Sequence, residues 1–452
     1  MTIQSEATRL DLDAVLAISQ ANNEPDWLRD LRRSWWERAE ATPWPTGKEE
    51  EWRRTPLDKL PRDVELLLDP PRIVCELDEE LARAGVIFSD LRDALRDHPE
   101  LVRRVLTERE AASGAKAPDT TEALPDGSVA PLQTVGSGEW GPGVAEFDSH
   151  DKFWALAQAA WTGGTFLYVP ADVAVDTALI ARSVLDRGNV AYFPLTLLVA
   201  EHGARVTLLD EHVSPDGAPL WFGGVVDVRS GREAWVRYAN LQRLGDASWY
   251  IGAQRVQVGP GADVTTLNAE VGSLITKLGL DVRMTGEGGT SRLLGLLAAG
   301  EDQHIDINAF QDLAANHVSS DLLYLSALYD RARATFYGVT KVRPYAKATS
   351  SYQECRNLLL SPEAGAEPIP VLEIETNDIL RCGHGATVGA LDPVQLFYAQ
   401  SRGLPAEQAE RMIVRGFFER VVAQVDSEPI KARVLEALAD RIGTEQVLEQ
   451  AS

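Results

Sequence analysis

The stretch GPGADVTTLNAEV, residues 259–271, decides how the rest of this chain is read. A Pro-Gly-Ala corner comes first, and glycine beside proline marks a tight turn. A run holding Val264, Thr265, Thr266 and Leu267 follows, and β-branched residues favour extended backbone. The same order, a small-residue corner and then a short run, recurs in HGARVTLL (202–209) and HGATVGAL (384–391). Further runs of this kind are FLYVP (166–170), VAYFPLTLLVA (190–200), AWVRYANL (234–241), ATFYGVTKV (334–342) and VLEIE (371–375), with Gly, Asp and Asn between them. Long helical patterns rarely interrupt these runs, which disfavours a doubly wound α/β fold. Many short strands with small residues at the corners suit a stacked solenoid such as a parallel β-helix. Their spacing is too irregular to fix a period, and a β-sandwich satisfies the same pattern.

Outside this core the pattern turns helical. Trp27, Leu31 and Trp35 recur at helical spacing, and Pro43 and Pro45 then stop that helix. Residues 77–110 are rich in helix formers and charge. The five tryptophans before residue 53 read as the core of a small helical region. Residues 111–147 are rich in Ala, Gly, Pro, Ser and Thr without a period, as a linker or variable loop is. At the other end, Ala409, Ile413, Phe417 and Val421 form one stripe, with Pro405 in the first turn after Gly403. Ile430, Val434, Leu438 and Ile442 form a second, with Ser427 placed to cap it and Gly443 past its end. These two helices either cap an open end of the solenoid or form a docking surface. The chain thus divides into an N-terminal helical region (1–110), the linker (111–147), the β core (148–395) and a C-terminal helical region (396–452).

At 452 residues, 44% of them hydrophobic, the composition is that of an ordinary globular protein. The formal charge of −24 argues against a nucleic-acid groove or an anionic membrane surface as partner. Three scattered cysteines are too few for a disulfide framework, so a reducing, cytoplasmic setting is expected. MTIQSEATRLDLD lacks the apolar core of a secretory signal, and no run reaches the length of a membrane helix.

For chemistry, the densest stretch is Arg381-Cys382-Gly383-His384-Gly385-Ala386-Thr387-Val388-Gly389. If it is extended, Cys382 and His384 project to one face, where thiol and imidazole can bind a metal or serve thiol chemistry. A small buried cysteine beside a hydrogen-bonded histidine satisfies the same spacing, and two ligands do not close a metal site. No P-loop, HExxH or GxSxG is present, and GGVVDVRSG and TGEGGTSR read as turns. His98, His150, His202, His212, His304 and His317 are dispersed and read as surface or satisfied core residues. Asp306 and Asp312 mark the one region that could carry the clustered acids of a polysaccharide-active β-helix enzyme.

A longer ordered series resembles the SufB/SufD family of iron–sulfur cluster assembly proteins. It runs through Phe336-Tyr337-Gly338, Asn357-Leu358-Leu359-Leu360-Ser361, Pro370-Val371-Leu372-Glu373-Ile374, Cys382 to Gly389, Leu396-Phe397-Tyr398 and Ser401-Arg402-Gly403. Glu50-Glu51-Trp52-Arg53-Arg54-Thr55-Pro56-Leu57 and the His-Gly-Ala-Thr-Val-Gly segment resemble the SufD members rather than the SufB members. The resemblance implies a right-handed parallel β-helix between helical regions, pairing with SufB through terminal strands and binding of the ATPase SufC through the C-terminal helices. It implies a non-enzymatic scaffold, with ATP hydrolysis left to SufC. His384 matches the family's functional histidine, implicated in iron-related cluster formation at the SufB–SufD interface; Cys382 also matches the motif. The cargo implied is iron or a transient iron–sulfur cluster, and the family is linked to reduced flavin, for which the sequence holds no motif. A SufB-like subunit that itself receives persulfide sulfur is the alternative within the family, and the resemblance leaves room for a homodimer of the isolated chain.

Overall fold

A computed structural model of the chain describes residues 8–61, 64–112 and 152–442. Residues 113–147 of the expected linker, His150 and Gly443 lie outside them.

The core is a parallel β-solenoid of about eight turns, each turn giving one strand to each of two sheets. One sheet runs through Leu195–Ala200, Val225–Ser230, Ser248–Val258, Ile275–Met284, His304–Leu313, Arg333–Val342 and Gly365–Ile374. The other runs from Leu179–Val184 through Arg205–Val213, Trp235–Arg243, Asp263–Glu270, Thr290–Ala299, Ser319–Leu328 and Thr349–Leu359 to Ile379–Ala390. This settles solenoid against sandwich. The register also explains the missing period. Asp263, Thr290, Ser319 and Ser350 stack in one column yet lie 27, 29 and 31 residues apart, so the turns are unequal in length.

The corners carry the signal seen in the sequence. Two residues ahead of a second-sheet strand or its register column, Gly203, Glu233, Gly261, Gly288, His317 and Ala348 all have positive φ, between 51° and 75°. The N–H of each donates to a carbonyl of the next corner, as from Gly261 to Glu287 at 2.9 Å and from Gly288 to Asn316 at 3.1 Å. Glycine adopts this conformation without a Cβ clash, which is why Gly-Ala marks two of the corners. HGATVGAL is not one of them: Gly385 and Ala386 sit inside the strand Ile379–Ala390. GGVVDVRSG likewise is mostly the strand Val225–Ser230 rather than a turn.

Both faces of the second sheet are covered. Inward positions such as Val206, Val236, Val264, Leu293 and Leu322 fill the bore. Outward positions such as Leu209, Leu241, Leu267 and Leu296 lie under the helices Ala406–Val422 and Glu428–Ile442, which present Val414, Phe418, Val434 and Leu438. A strand buried on both faces reads as a continuous apolar run, as LLGLLAA does. The two helices therefore lie along the side of the solenoid and do not cap its end. Pro405 precedes the first helical residue, and the buried stripe runs through Val414 and Phe418, one residue on from Ile413 and Phe417. Glu211, fully buried, anchors the last helix, facing Arg433 at 3.0 Å, Arg182 at 3.1 Å and Arg243 at 3.5 Å.

The helices Leu12–Ala21 and Asp26–Ala41 pack with the tryptophan cluster on the first rungs of the other sheet. A helix missed in the sequence, Lys152–Ala160, lies between them, within the stretch assigned to the β core. Buried Arg32 ties the two together, donating to Glu24 at 2.7 Å and to the Ala159 and Trp161 carbonyls at 2.8 Å each. Ile87–Asp90, read as part of a helix, instead pairs antiparallel with Thr165–Val169.

Candidate functional site

The solenoid is open at its C-terminal end. Among the described residues, Gly365–Ile374 pairs only with Arg333–Val342, and Ile379–Ala390 only with Thr349–Leu359, so both sheets end in a free edge. An uncovered edge offers unpaired N–H and C=O groups to another chain. The two edges differ. The N–H groups of Gly365 and Glu375 donate back to Ala332 and Val342, so by alternation the residues facing the free edge include Pro368 and Pro370, which have no N–H. The terminal strand of the second sheet contains no proline. Its alternation turns the N–H groups of Cys382, His384, Ala386 and Val388 to the open side.

Cys382, His384, Ala386 and Val388 stand opposite Ser351, Gln353, Cys355 and Asn357, the inward-facing residues of the preceding rung. The expected period-two placement is therefore realised: thiol and imidazole share the face that looks into the bore. Their environments differ. Cys382 packs against the apolar core of the bore, and burial pushes its thiol up from the ordinary range. His384 is exposed, because no further rung stacks on it among the described residues. The flanking glycines serve the other face. A Cβ at Gly385 would lie 2.9 Å from the Tyr352 hydroxyl, and one at Gly383 would lie 3.5 Å from the Tyr352 ring. Tyr352 thus occupies the room expected for an approaching backbone.

Beyond the terminal strand, the Asp392 carboxylate accepts from the Val394 N–H at 2.9 Å and caps the helix Pro393–Ser401. This helix leaves Val394, Phe397 and Tyr398 exposed at i, i+3 and i+4, an apolar face with no cover among the described residues. Leu380 and Val388 are exposed on the neighbouring strand.

The remaining residues singled out in the sequence fall elsewhere. His98, His202 and His317 are on the surface, His212 is in the bore, and His304 is on the strand His304–Leu313. Asp306 and Asp312 form no acidic groove. Asp306 is held by Lys277 at 2.9 Å and by the Thr55 hydroxyl at 2.6 Å, and Asp312 by Arg343 at 2.7 Å. The Glu50–Leu57 segment explains the first pair: it crosses the outer face of the sheet, where Arg54 also reaches Glu367 at 3.2 Å. Among the described residues no three His, Cys, Asp or Glu side chains come together to hold a metal ion. A cavity lined by Trp36, Trp44, Lys152 and Trp221 has a volume of about 210 Å³. That is below the roughly 300 Å³ at which small-molecule sites begin, so it does not fit a flavin.

What the sequence reading missed is a row of buried amides and hydroxyls inside the bore: Gln311, Ser320, Thr340, Ser351 and Gln353. Polar residues at inward positions of predicted strands were the available signal, and the unknown register hid it.

Residues 183–417, more than half of the chain, match the family described as SUF system FeS cluster assembly, SufBD core domain. The iron–sulfur cluster assembly protein SufD of Bacillus subtilis is 26% identical, over 96% of this chain and 98% of its own length. Iron–sulfur cluster assembly SufBD family proteins of Staphylococcus epidermidis and Staphylococcus saprophyticus are each 28% identical, over 78% of this chain and 68% of theirs.

Proposed function

This chain belongs to the SufBD core family of SUF-system iron–sulfur cluster assembly proteins, and from that premise we propose that it is a SufD-like scaffold subunit. Its open solenoid end joins SufB, and His384 offers iron one ligand of a set that the partner completes. The observation that carries this reading is the exposed imidazole on an unpaired terminal rung. One chain supplies too few ligands for a metal, whereas a site shared across two end rungs needs only one or two from each. Neutral imidazole ligates iron well, and the soft sulfur ligands come from the other side of the joint. Iron and the growing cluster are cargo here.

The chain itself carries out no hydrolysis in this proposal; SufC turns over ATP and docks on the C-terminal helices. Since Ala406–Val422 and Glu428–Ile442 spend their apolar faces on the solenoid, the uncovered face of Pro393–Ser401 is the contact assigned to SufC. Three unpaired cysteines suit a reducing cytoplasm, and no described helix is long and apolar enough to cross a membrane.

The test is His384→Ala in the co-purified complex. The variant keeps its fold and its partners, and cluster formation falls to background; full activity rejects the site. A SufB-like role makes Cys382 or another cysteine the sulfur acceptor instead. Mass spectrometry after incubation with a sulfur donor would then show persulfide on that cysteine; burial raises all three thiols, which disfavours it.

A further inference from the structure

The row of polar side chains in the bore has a direction. The Ser320 carbonyl can only accept, and it accepts from Gln311 Nε2 at 3.2 Å. The amide of Gln311 is therefore fixed with Oε1 pointing the other way. That oxygen accepts from the Thr340 hydroxyl at 3.1 Å and from Gln353 Nε2 at 3.1 Å. Gln353 Nε2 also donates to Thr340 Oγ1 at 2.6 Å. A backbone carbonyl at one end thus orients every amide in the row, independently of how any amide is assigned on its own. The row ends on Gln353 Oε1, buried and without a hydrogen-bond partner among the described residues. Gly338 leaves room for this oxygen, since a Cβ there would lie 3.3 Å from it. A buried acceptor left unpaired has lost its water without a replacement, so the end of the row calls for a donor. In register with Gln353 on the next strand, and on the same inward face, stands His384.

We propose that Gln353 is a positioning residue for His384. Its amide oxygen takes the proton of one imidazole nitrogen, which fixes the tautomer and leaves the lone pair of the other nitrogen facing the open end. The inference rests on the reading of His384 as an iron ligand. Second partners of ligating histidines characteristically act in this way.

The experiment uses the full chain with ¹⁵N-labelled histidine, at about pH 8.5, above the ordinary histidine range. Long-range ¹⁵N–¹H spectra report the tautomer, and His384 is assigned by its loss in His384→Ala. The wild type is expected to hold a single tautomer, and Gln353→Met to relax it to a mixture. Thr340→Val breaks the same row but keeps the acceptor, so it should leave the single tautomer in place. In the co-purified complex, Gln353→Met should lower cluster yield about tenfold and Thr340→Val should not. A wild-type His384 that already averages both tautomers overturns the proposal without any variant. So does a Gln353→Met protein with the wild-type tautomer, or a Thr340→Val protein that loses it equally. Undiminished cluster formation by His384→Ala would instead reject the ligand reading, while the spectra would still decide the role of Gln353.

Discussion

Glu270 shows how a single side chain can sit against the stability of the whole bore. It is fully buried on the inward face of Asp263–Glu270, and burial pushes its carboxyl up to about 8, only partly offset by hydrogen bonds from Asn240 and Gln242. Asp210 and the Tyr238 and Tyr250 phenols, also in the bore, supply no compensating cation. In the unfolded chain the group titrates near the ordinary glutamate value. Between that value and about 8 the folded state therefore binds more protons than the unfolded state. Stability is full below the unfolded value and falls as pH rises through the window. Glu270→Gln should leave melting unchanged near pH 4 and stabilise the fold near pH 8.5 by an amount on the order of 1–3 kcal/mol, read as a higher Tm. Thermal unfolding at the two pH values checks this; equal shifts at both would show that Glu270 does not titrate there.

Among the elements, the C-terminal helices divide by what covers them. Ala406–Val422 and Glu428–Ile442 are part of the solenoid's own packing: their removal would strip the outer face of the second sheet and expose Leu209, Leu241 and Leu296. Pro393–Ser401 is different, since Val394, Phe397 and Tyr398 face solvent. Phe397→Asp should leave thermal stability nearly unchanged, within about 0.5 kcal/mol for a surface position. It should abolish co-purification of the SufC ATPase. Retention of SufC at wild-type level would move the docking surface elsewhere. The terminal strand carries a similar asymmetry. Its row of outward-facing N–H groups is intact, whereas the neighbouring edge is blunted by Pro368 and Pro370, so a partner strand can add fully to one sheet only.

For the molecule as a whole, the solenoid predicts a gradient of protection. Amides of central rungs lie in strands bonded on both sides and open only with the fold, while those facing the free end have no partner among the described residues. In hydrogen exchange, the N–H groups of Cys382, His384, Ala386 and Val388 should exchange orders of magnitude faster than those of Asp263–Glu270. They should become protected when SufB is added. Protection of that edge in the isolated chain at low concentration, unchanged by SufB, would contradict joining at this end.

The local sequence determined the corners, the short strands, the helical flanks and the Cys-x-His pair, because each depends on a few neighbouring residues. Gly261-Ala262 announces its own left-handed turn, and Cys382 and His384 share a face through nothing more than the alternation of extended backbone. The tertiary structure alone decided what depends on register between distant rungs. Turns of unequal length stack His384 over Gln353 and leave the imidazole exposed while Cys382 is packed. The same stacking buries Asp306 beneath Thr55, and lays the last two helices along the sheet rather than across its end. Such contacts join residues tens to hundreds of positions apart. They are set by how much apolar surface each arrangement removes from water, a quantity that no local pattern contains.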